Sequence, residues 1–267
     1  MTSSYQLVAT DLDGTLLHSD ETLSARTRLA LKAVAAAGAH HVIVTGRPVA
    51  TARKVFDDLG YDGLAVCAQG GQIYHAGRHA LISSVELDRQ VVREVLDRVA
   101  AELGTLQIAT ARAVLKGAIL IPEGFPWPWA STDKQLAVDD DLWQQPILKA
   151  FIHHPKLATD QLAAAAREIA GSVVDFVNGG GMVEVLPAGL NKATGLAEVA
   201  ELVGTPPERV VAFGDMPADV PMVVWAGHGV AVANAHPELL AVADEIAPGN
   251  NDDGVAVVLE RLFDAEL

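Results

Sequence analysis

Short apolar runs rich in valine, isoleucine and leucine alternate along the chain with longer stretches whose apolar residues recur at helical spacing. The clearest apolar runs predict five strands, at Gln6 to Thr10, His41 to Val44, Leu64 to Cys67, Arg209 to Phe213 and Gly229 to Ala233. Between the first two strands the pattern indicates a helix, which Ser24 can cap and Gly38 can end. Strands that alternate with helices in this way are typical of a parallel sheet with crossover helices, so the pattern predicts an α/β fold.

The middle of the chain follows a different pattern. Residues 72–83 have the form of a β-hairpin that leaves the parallel sheet. Beyond the hairpin the sequence predicts two helices, Leu87 to Leu103 and Thr159 to Ala170, and strands near Thr105 to Thr110, Val114 to Ile121, Ile147 to His153, Val173 to Phe176 and Met182 to Val185. A segment of this length is about one domain. We therefore predict an inserted α+β domain at residues 82–185 and a discontinuous core domain at residues 1–81 and 186–267.

The composition excludes several classes of protein. Half of the 267 residues are hydrophobic, so the chain can bury a core. Acidic residues outnumber basic ones by 34 to 19, and the net charge of -15 repels nucleic acids and anionic membranes. Cys67 is the only cysteine, and no apolar leader segment precedes Asp11. We expect a cytoplasmic protein with neither a nucleic acid nor a membrane as its partner.

Polar residues cluster where three of the predicted strands end. Asp11 to Thr15 follow the first strand, Thr45 to Arg47 follow the second, and Gly214 to Asp219 follow the fourth. The carboxyl ends of parallel strands lie at one edge of a sheet, which is where open α/β sheets bind their ligands. Lys192, which opens a later helix after Asn191, adds a cation. The sequence therefore predicts a single site that combines carboxylates, a hydroxyl group and cations.

This set of side chains suits the transfer of a phosphoryl group. We predict that Asp11 is the nucleophile, because a carboxylate can take up the phosphoryl group as an aspartyl phosphate. Asp13 is the predicted general acid and base, since Gly14 lets the chain bend there. A Mg²⁺ ion would be held by Asp11, Asp215 and a main-chain carbonyl near Asp13, with Asp219 holding its waters.

Further residues are predicted to bind the phosphate itself. Thr45 can donate its hydroxyl and backbone N–H groups, Gly46 allows a close approach, and Lys192 can neutralise charge on the phosphoryl oxygens. Arg47 is a further candidate, for the phosphate or for the rest of the substrate. The nine histidines do not predict a zinc site, because none pairs with Cys67 at ligand spacing.

Taken together, these motifs resemble those of the haloacid dehalogenase superfamily of phosphatases. D-L-D-G-T from Asp11, T-G-R from Thr45, the isolated Lys192 and G-D-x-x-x-D from Gly214 occur in the order typical of that family. More narrowly, the chain resembles the Cof-type sugar phosphatases. The features that carry this narrower resemblance are the inserted segment, the V-E-V-L-P-A-G-L-N-K run that ends at Lys192 and the G-V-A-V-A-N-A run from Gly229.

The resemblance implies a Rossmann-like, doubly wound core and a mobile α/β cap of the C2 type that closes over the substrate. It also implies a Mg²⁺-dependent phosphatase acting on phosphorylated sugars or similar small metabolites. The residues that it implies for the site are those named above from their chemistry, namely Asp11, Asp13, Asp215 and Asp219 for catalysis and metal, and Thr45 and Lys192 for phosphate.

One position departs from the family pattern. The family usually has an asparagine where this chain has Ala218, so an amide donor near the phosphoryl group is missing. Asn234, just beyond the predicted strand that ends at Ala233, is a candidate to replace it. We therefore include Asn234 among the predicted phosphate-binding residues.

Two other functions remain open from the sequence. A phosphotransferase, such as a phosphomutase, would pass the phosphoryl group from Asp11 to a sugar hydroxyl instead of water. A weakly active regulatory module would bind phosphate with little turnover, which Ala218 favours and the intact Asp11 and Asp13 oppose. In each case we expect a monomer or small homo-oligomer whose partner is a small phosphorylated metabolite.

Aromatic residues of the insert also have two interpretations. Phe125, Trp127, Trp129 and Trp143 could form a stacking wall for a sugar ring or the small core of the insert. We favour the core.

Overall fold

Two β-sheets organise the chain in a computed structural model, which describes residues 4–113, 119–127, 134–179 and 181–263. The strands are β1 (Leu7–Thr10), β2 (His40–Val44), β3 (Leu64–Cys67), β4 (Gln72–His75), β5 (Ala80–Ser84), β6 (Gln107–Arg112), β7 (Ile119–Ile121), β8 (Lys134–Leu136), β9 (Ile147–His153), β10 (Val174–Asn178), β11 (Val183–Pro187), β12 (Val210–Gly214), β13 (His228–Val232) and β14 (Glu245–Ala247). The α-helices are α1 (Ala25–Ala36), α2 (Val49–Leu59), α3 (Arg89–Leu103), α4 (Thr159–Ala170), α5 (Lys192–Val203), α6 (Val220–Trp225), α7 (Pro237–Leu240) and α8 (Gly254–Leu262).

The larger sheet has eight strands in the order β14-β13-β12-β1-β2-β3-β4-β5. The six strands from β14 to β3 are parallel, and the β4–β5 hairpin is antiparallel. The chain moves in one direction across the sheet from β1 to β3 and in the other from β12 to β14. This reversal makes the crevice between β1 and β12 the topological switch point, where doubly wound sheets bind ligands. The predicted Rossmann-like, doubly wound core is confirmed.

Helices cover both faces of this sheet because successive strand residues point to opposite sides. Val8 and Ile43 pack into one apolar cluster with α1, α2 and α8. Their neighbours Leu7 and Val42 pack into another with α5 and α6. Both faces are therefore buried, which explains why the parallel strands read as continuous apolar runs.

The smaller sheet belongs to the inserted segment, which we call the cap. Its six strands have the order β10-β11-β9-β6-β7-β8, and α3 and α4 cover one face. The other face carries an apolar cluster that includes Phe151 and Met182 and also takes in Ala50 of α2 in the core. The cap sheet therefore turns its helix-free face toward the carboxyl ends of the core strands.

Several details differ from the sequence predictions. The predicted cap limits, residues 82 and 185, fall inside β5 and β11. Because β5 belongs to the core sheet and β11 to the cap sheet, the cap begins three residues later and ends two residues later than predicted. The sequence does not predict β8 or β14, since each has only three residues and shows no periodicity. Of the predicted strand from Val114 to Ile121, residues 114–118 lie outside the described residues, and β7 occupies the rest. In the described segments, no helix combines the length and the apolar character needed to cross a membrane.

Candidate active site

Three buried carboxylates meet at the switch point. Asp11 directly follows β1, Asp215 directly follows the adjacent β12, and Asp219 precedes α6. Each offers a carboxylate oxygen, and these oxygens lie within 4.8 Å of one another. The backbone N–H of Asp11 donates to the carbonyl of Phe213 at 2.9 Å, which joins the two strand ends. The structure therefore brings together three of the four predicted carboxylates.

Lys192 supplies the positive charge of this cluster. It is the first residue of α5, whose N-terminus is capped by the Asn191 side chain accepting from the N–H groups of Ala193 and Thr194. Its Nζ donates to Asp11 Oδ1 at 2.6 Å and to Asp219 Oδ1 at 2.5 Å. The core strands and α5 thus place the predicted lysine against the predicted nucleophile.

The electrostatics of the cluster favour a further cation. Burial raises the pKa of Asp11 well above its usual range, and the neighbouring carboxylates add to this effect while the Lys192 ammonium opposes it. Burial likewise raises the pKa of Asp215 to about 6, with a contribution from Asp219. Burial alone would lower the pKa of Lys192, but its two carboxylate partners make the net shift upward. One ammonium therefore does not balance the carboxylates, and an all-oxygen donor set of this kind fits a divalent cation such as Mg²⁺.

Gly14 and Thr15 hold Asp215 in place from the loop after β1. The Thr15 hydroxyl donates to Asp215 Oδ1 at 2.8 Å. Gly14 has a φ of 82°, and a Cβ atom there would lie 2.6 Å from Asp215 Oδ2. Only glycine satisfies both the left-handed backbone and this close approach. The bend at Gly14 is predictable from the sequence, whereas the role of Thr15 is not.

The Asp13 side chain does not join the carboxylate cluster. It forms a two-bond ion pair with Arg47, whose Nε and Nη2 donate to Asp13 Oδ2 at 2.8 Å and to Oδ1 at 2.5 Å. Arg47 Nη2 also donates to Glu21 Oε1 at 3.1 Å. Asp13 and Arg47 therefore lie at the edge of the site as a pair.

The loop after β2 carries three of the residues predicted to bind phosphate, Thr45, Gly46 and Arg47. Thr45 is buried, and its Oγ1 accepts from the backbone N–H of Arg47 at 3.1 Å. A Cβ atom at Gly46 would lie 2.7 Å from Gln69 Nε2, so the loop packs closely against the turn after β3. The Gly46 carbonyl accepts from Lys149 Nζ at 2.7 Å, a contact from the cap that the sequence pattern does not predict.

Ala218 lines the same cleft as Asp219. Asn234 is placed differently. Its Nδ2 donates to the Gly14 carbonyl and its Oδ1 accepts from the Asn250 backbone N–H, each at 2.9 Å. Both ends of the Asn234 amide thus hold backbone segments together, and the hypothesis that it replaces the missing amide gains no support.

A cleft of about 800 Å³ connects the cluster to the cap. Ile119, Trp127 and Phe151 of the cap form part of its wall. Phe125 is buried in the apolar cluster of the cap, which confirms the core interpretation for this residue. Trp143 packs on the apolar cluster under α3 and α4. Trp127 packs on the same cluster as Phe125 and also lines the cleft. Trp129 lies outside the described residues.

The fold and the site together indicate a class of enzyme, a capped α/β phosphatase with a cluster of buried carboxylates at the switch point of its sheet. A model of the haloacid dehalogenase-like hydrolases matches residues 8–259, and the chain belongs to this family.

Named relatives support the same assignment. The chain is 28% identical to a 5-amino-6-(5-phospho-D-ribitylamino)uracil phosphatase of Bacillus subtilis, with 97% of this chain and 98% of the relative covered. It is 29% identical to a phosphoglycolate phosphatase of Natronomonas pharaonis, with 96% and 97% covered. Like these relatives, the protein is a phosphatase.

Solved structures share the whole fold. A haloacid dehalogenase-like hydrolase from Bacteroides thetaiotaomicron is 26% identical with a TM-score of 0.76, covering 97% of this chain and 99% of that one. A sugar phosphatase of subclass IIB is 18% identical with a TM-score of 0.81, covering 96% and 98%, and this likeness concerns the fold.

Proposed function

We propose that this phosphatase hydrolyses a phosphate monoester of a small metabolite, in the sugar phosphate class, with Mg²⁺ and through an aspartyl phosphate on Asp11. The observation that carries the proposal is the buried Asp11 carboxylate at the switch point, which contacts Lys192 and lies within reach of Asp215 and Asp219. A nucleophile, a cation and acidic metal ligands are thereby assembled in one place.

The carboxylates of Asp11 and Asp215 and the main-chain carbonyl of Asp13 would hold the metal ion, with Asp219 behind them. When bound, Mg²⁺ supplies positive charge that attracts the phosphate and reduces its repulsion from the nucleophile. Asp219 Oδ2 accepts the backbone N–H groups of Asp215 and Met216 at 3.1 and 2.9 Å, so its main part is to keep this loop in place.

In the first step, an oxygen of Asp11 forms a bond to phosphorus while the bond from phosphorus to the leaving oxygen breaks. Asp13, protonated and no longer paired with Arg47, gives its proton to that oxygen. Lys192 and the Thr45 hydroxyl donate to the phosphoryl oxygens, where negative charge accumulates in the transition state. In the second step, Asp13 takes a proton from water, the water oxygen bonds to phosphorus, and Asp11 is released.

The ion pair between Asp13 and Arg47 bears on this sequence. A guanidinium group binds a phosphate dianion in the same two-bond fashion as a carboxylate. An incoming phosphate therefore competes for Arg47, and Asp13 is then able to face the leaving oxygen. This competition favours the phosphate over the rest of the substrate as the partner of Arg47, the two roles predicted from the sequence.

Support for a sugar-like substrate comes from the relatives and the cleft. Three Bacillus subtilis relatives are named as phosphatases of a phosphoribitylamino-uracil. The cleft volume of about 800 Å³ is within the usual range for small-molecule sites. Its wall combines the aromatic Trp127 and Phe151 with the polar Asn178, which suits a substrate that has both apolar faces and hydroxyl groups.

The experiment is a screen of phosphorylated metabolites with the purified protein, with and without Mg²⁺, that measures free phosphate. We expect release from one or more sugar phosphates with Mg²⁺ and none from Asp11→Asn. Asp97→Asn, on the exposed face of α3, serves as the matched control and should retain full activity. Equal release by Asp11→Asn would refute the mechanism, and isomerised ester without free phosphate would indicate the phosphotransferase instead.

A further inference from the structure

A buried polar network joins the cap to the phosphate-binding loop of the core. Lys149 of β9 is only 1% exposed, and its Nζ donates to Glu184 Oε1 of β11 at 2.5 Å. The same ammonium donates to the Gly46 carbonyl at 2.7 Å. Gln69, in the turn after β3, donates from Nε2 to Glu184 Oε2 at 2.9 Å. Two cap residues and one core residue thus converge on the loop that carries Thr45.

Stability alone does not explain this network. An ion pair taken out of water loses much of its attraction to the desolvation of both charges, and apolar residues of similar size often serve a fold as well. Gln69 adds to the cost, since its φ of 60° is left-handed. Its Oε1 is buried without a hydrogen-bond partner among the described residues. Costs of this kind are usually found where side chains must be held for function.

The contact with Gly46 acts on the peptide group that follows it. A peptide unit is planar, so a donor that fixes the Gly46 carbonyl also fixes the direction of the Arg47 N–H. That N–H donates to Thr45 Oγ1 at 3.1 Å. Because this bond occupies one lone pair of the Thr45 hydroxyl, it restricts the directions in which the hydroxyl can donate its own proton.

We propose that Lys149, held by Glu184 and Gln69, is a positioning residue that aligns the Gly46–Arg47 peptide and thereby orients the Thr45 hydroxyl toward the phosphoryl group. This inference rests on the proposed function. It means that the Thr45 hydroxyl is correctly oriented for phosphate only when the cap is packed against the core, because Lys149 contacts Gly46 from a cap strand. Lys149 acts through Thr45.

The test compares the wild type with Lys149→Met/Glu184→Leu. The paired change removes the contact with Gly46 without leaving a lone charge in the cap. In the paired variant we expect kcat to fall about tenfold and the inhibition constant of inorganic phosphate to rise by a similar factor. The loss of kcat should be smaller than the one that follows removal of a preorganised donor, because the Thr45 hydroxyl itself is still present. Half-saturation by Mg²⁺ should stay the same, and Lys149→Arg, which keeps a donor, should recover most of the activity.

A double-mutant cycle with Thr45→Val separates positioning from general damage. If Lys149 acts through Thr45, adding the paired change to Thr45→Val lowers kcat by less than about twofold. The inference would be overturned if the effects of the paired change and of Thr45→Val on kcat multiply fully. It would also be overturned if the paired change lowers the melting temperature but leaves kcat and phosphate inhibition unchanged. Wild-type protein that releases no phosphate would refute the proposed function as well, so the two failures are distinguishable.

Discussion

At the scale of single residues, the Asp219 carboxylate shows how the site is held together. It is fully buried, accepts Lys192 on one oxygen, and accepts two backbone N–H groups of its own loop on the other. Hydrogen bonds to charged groups are among the stronger ones in proteins. Asp219 therefore fixes both the Asp215 loop and Lys192 relative to Asp11.

Ala218 is the residue at which activity should be open to improvement. We expect Ala218→Asn to raise kcat about tenfold, because the new amide would face the phosphoryl oxygens from the cleft wall. The gain should be smaller than the loss of 10² to 10³ that follows removal of an established donor, since the surroundings are not preorganised for it. Steady-state kinetics of Ala218→Asn and of Ala218→Leu, whose side chain has the same branching and no donor, would measure this. Equal kcat in all three proteins would show that the amide is unimportant here.

His41 should make the stability of the core depend on pH. Its Nε2 lies 2.9 Å from Thr10 Oγ1 in β1, and burial lowers the pKa of His41 to about 4. The unfolded chain takes up the proton at a pKa of about 6.5. The stability that the neutral His41 contributes is thus complete above that pH and is lost as the pH falls toward 4.

We expect the free energy of unfolding to fall by about 2 kcal/mol from this source between about pH 7.5 and pH 5. Denaturant unfolding of the wild type and of His41→Gln over this range would show it as a difference in slope. The exposed neighbour provides the control, and His40→Gln should keep the wild-type slope. Parallel curves for wild type and His41→Gln would disprove the prediction.

At the scale of elements, α5 carries Lys192 to the site only because it packs very closely on the core sheet. Gly195, one turn into the helix, faces β3 and the turn that follows it. A Cβ atom at this position would lie 2.5 Å from Val66 Cγ1 and 2.8 Å from Gly70 Cα. The backbone of Gly70 cannot yield easily, so any side chain at Gly195 must push the helix away.

Gly195→Ala is therefore expected to destabilise the protein by about 1–3 kcal/mol, the usual cost of overpacking, despite the better helix propensity of alanine. It should also lower kcat about tenfold, because the displaced helix carries Lys192 with it. Chemical denaturation and steady-state kinetics would measure both effects. Leu202→Ala, an exposed position on the same helix, should change neither. A Gly195→Ala protein with full activity would contradict the close packing.

At the scale of the whole molecule, the charge distribution leaves the site dependent on added cations. The chain carries a net charge of -15, and its buried carboxylate cluster has only Lys192 as a direct partner among the described salt bridges. Long-range steering of an anionic substrate is therefore unfavourable, and capture must come from local contacts. A bound divalent cation would reduce both the repulsion within the cluster and the repulsion of the substrate.

Mg²⁺ should accordingly stabilise the folded protein. At a concentration one hundred times Kd, binding contributes about 2.7 kcal/mol, which corresponds to a rise in Tm of about 5 °C or more for a chain of this size. Thermal melts with Mg²⁺ and with KCl at equal ionic strength would separate binding from screening. Asp215→Asn should abolish the response to Mg²⁺ without abolishing folding. The same rise with KCl alone would refute a specific site.

Much of the fold and of the site follows from local sequence. The five predicted core strands, the capped helix α1 and the order of the motifs correspond to elements of the structure, because apolar periodicity, caps and glycine turns act over a few residues. Asp11, Lys192, Asp215 and Asp219 meet as expected because parallel strands end at one edge. The buried network could have been suspected from the charged residues Lys149 and Glu184, which interrupt the apolar strands β9 and β11.

The sequence by itself therefore determined most of the elements, the doubly wound class and the set of polar residues that meets at the strand ends. Only the tertiary structure decided that Lys149 reaches Gly46 across 103 positions of the chain, that Gln69 reaches Glu184 across 115, and that Asp13 pairs with Arg47 rather than joining the carboxylates. The physical reason is that local pattern specifies which face of an element is buried. The partner that a buried polar group finds depends instead on how the cap sheet and the core sheet are packed together.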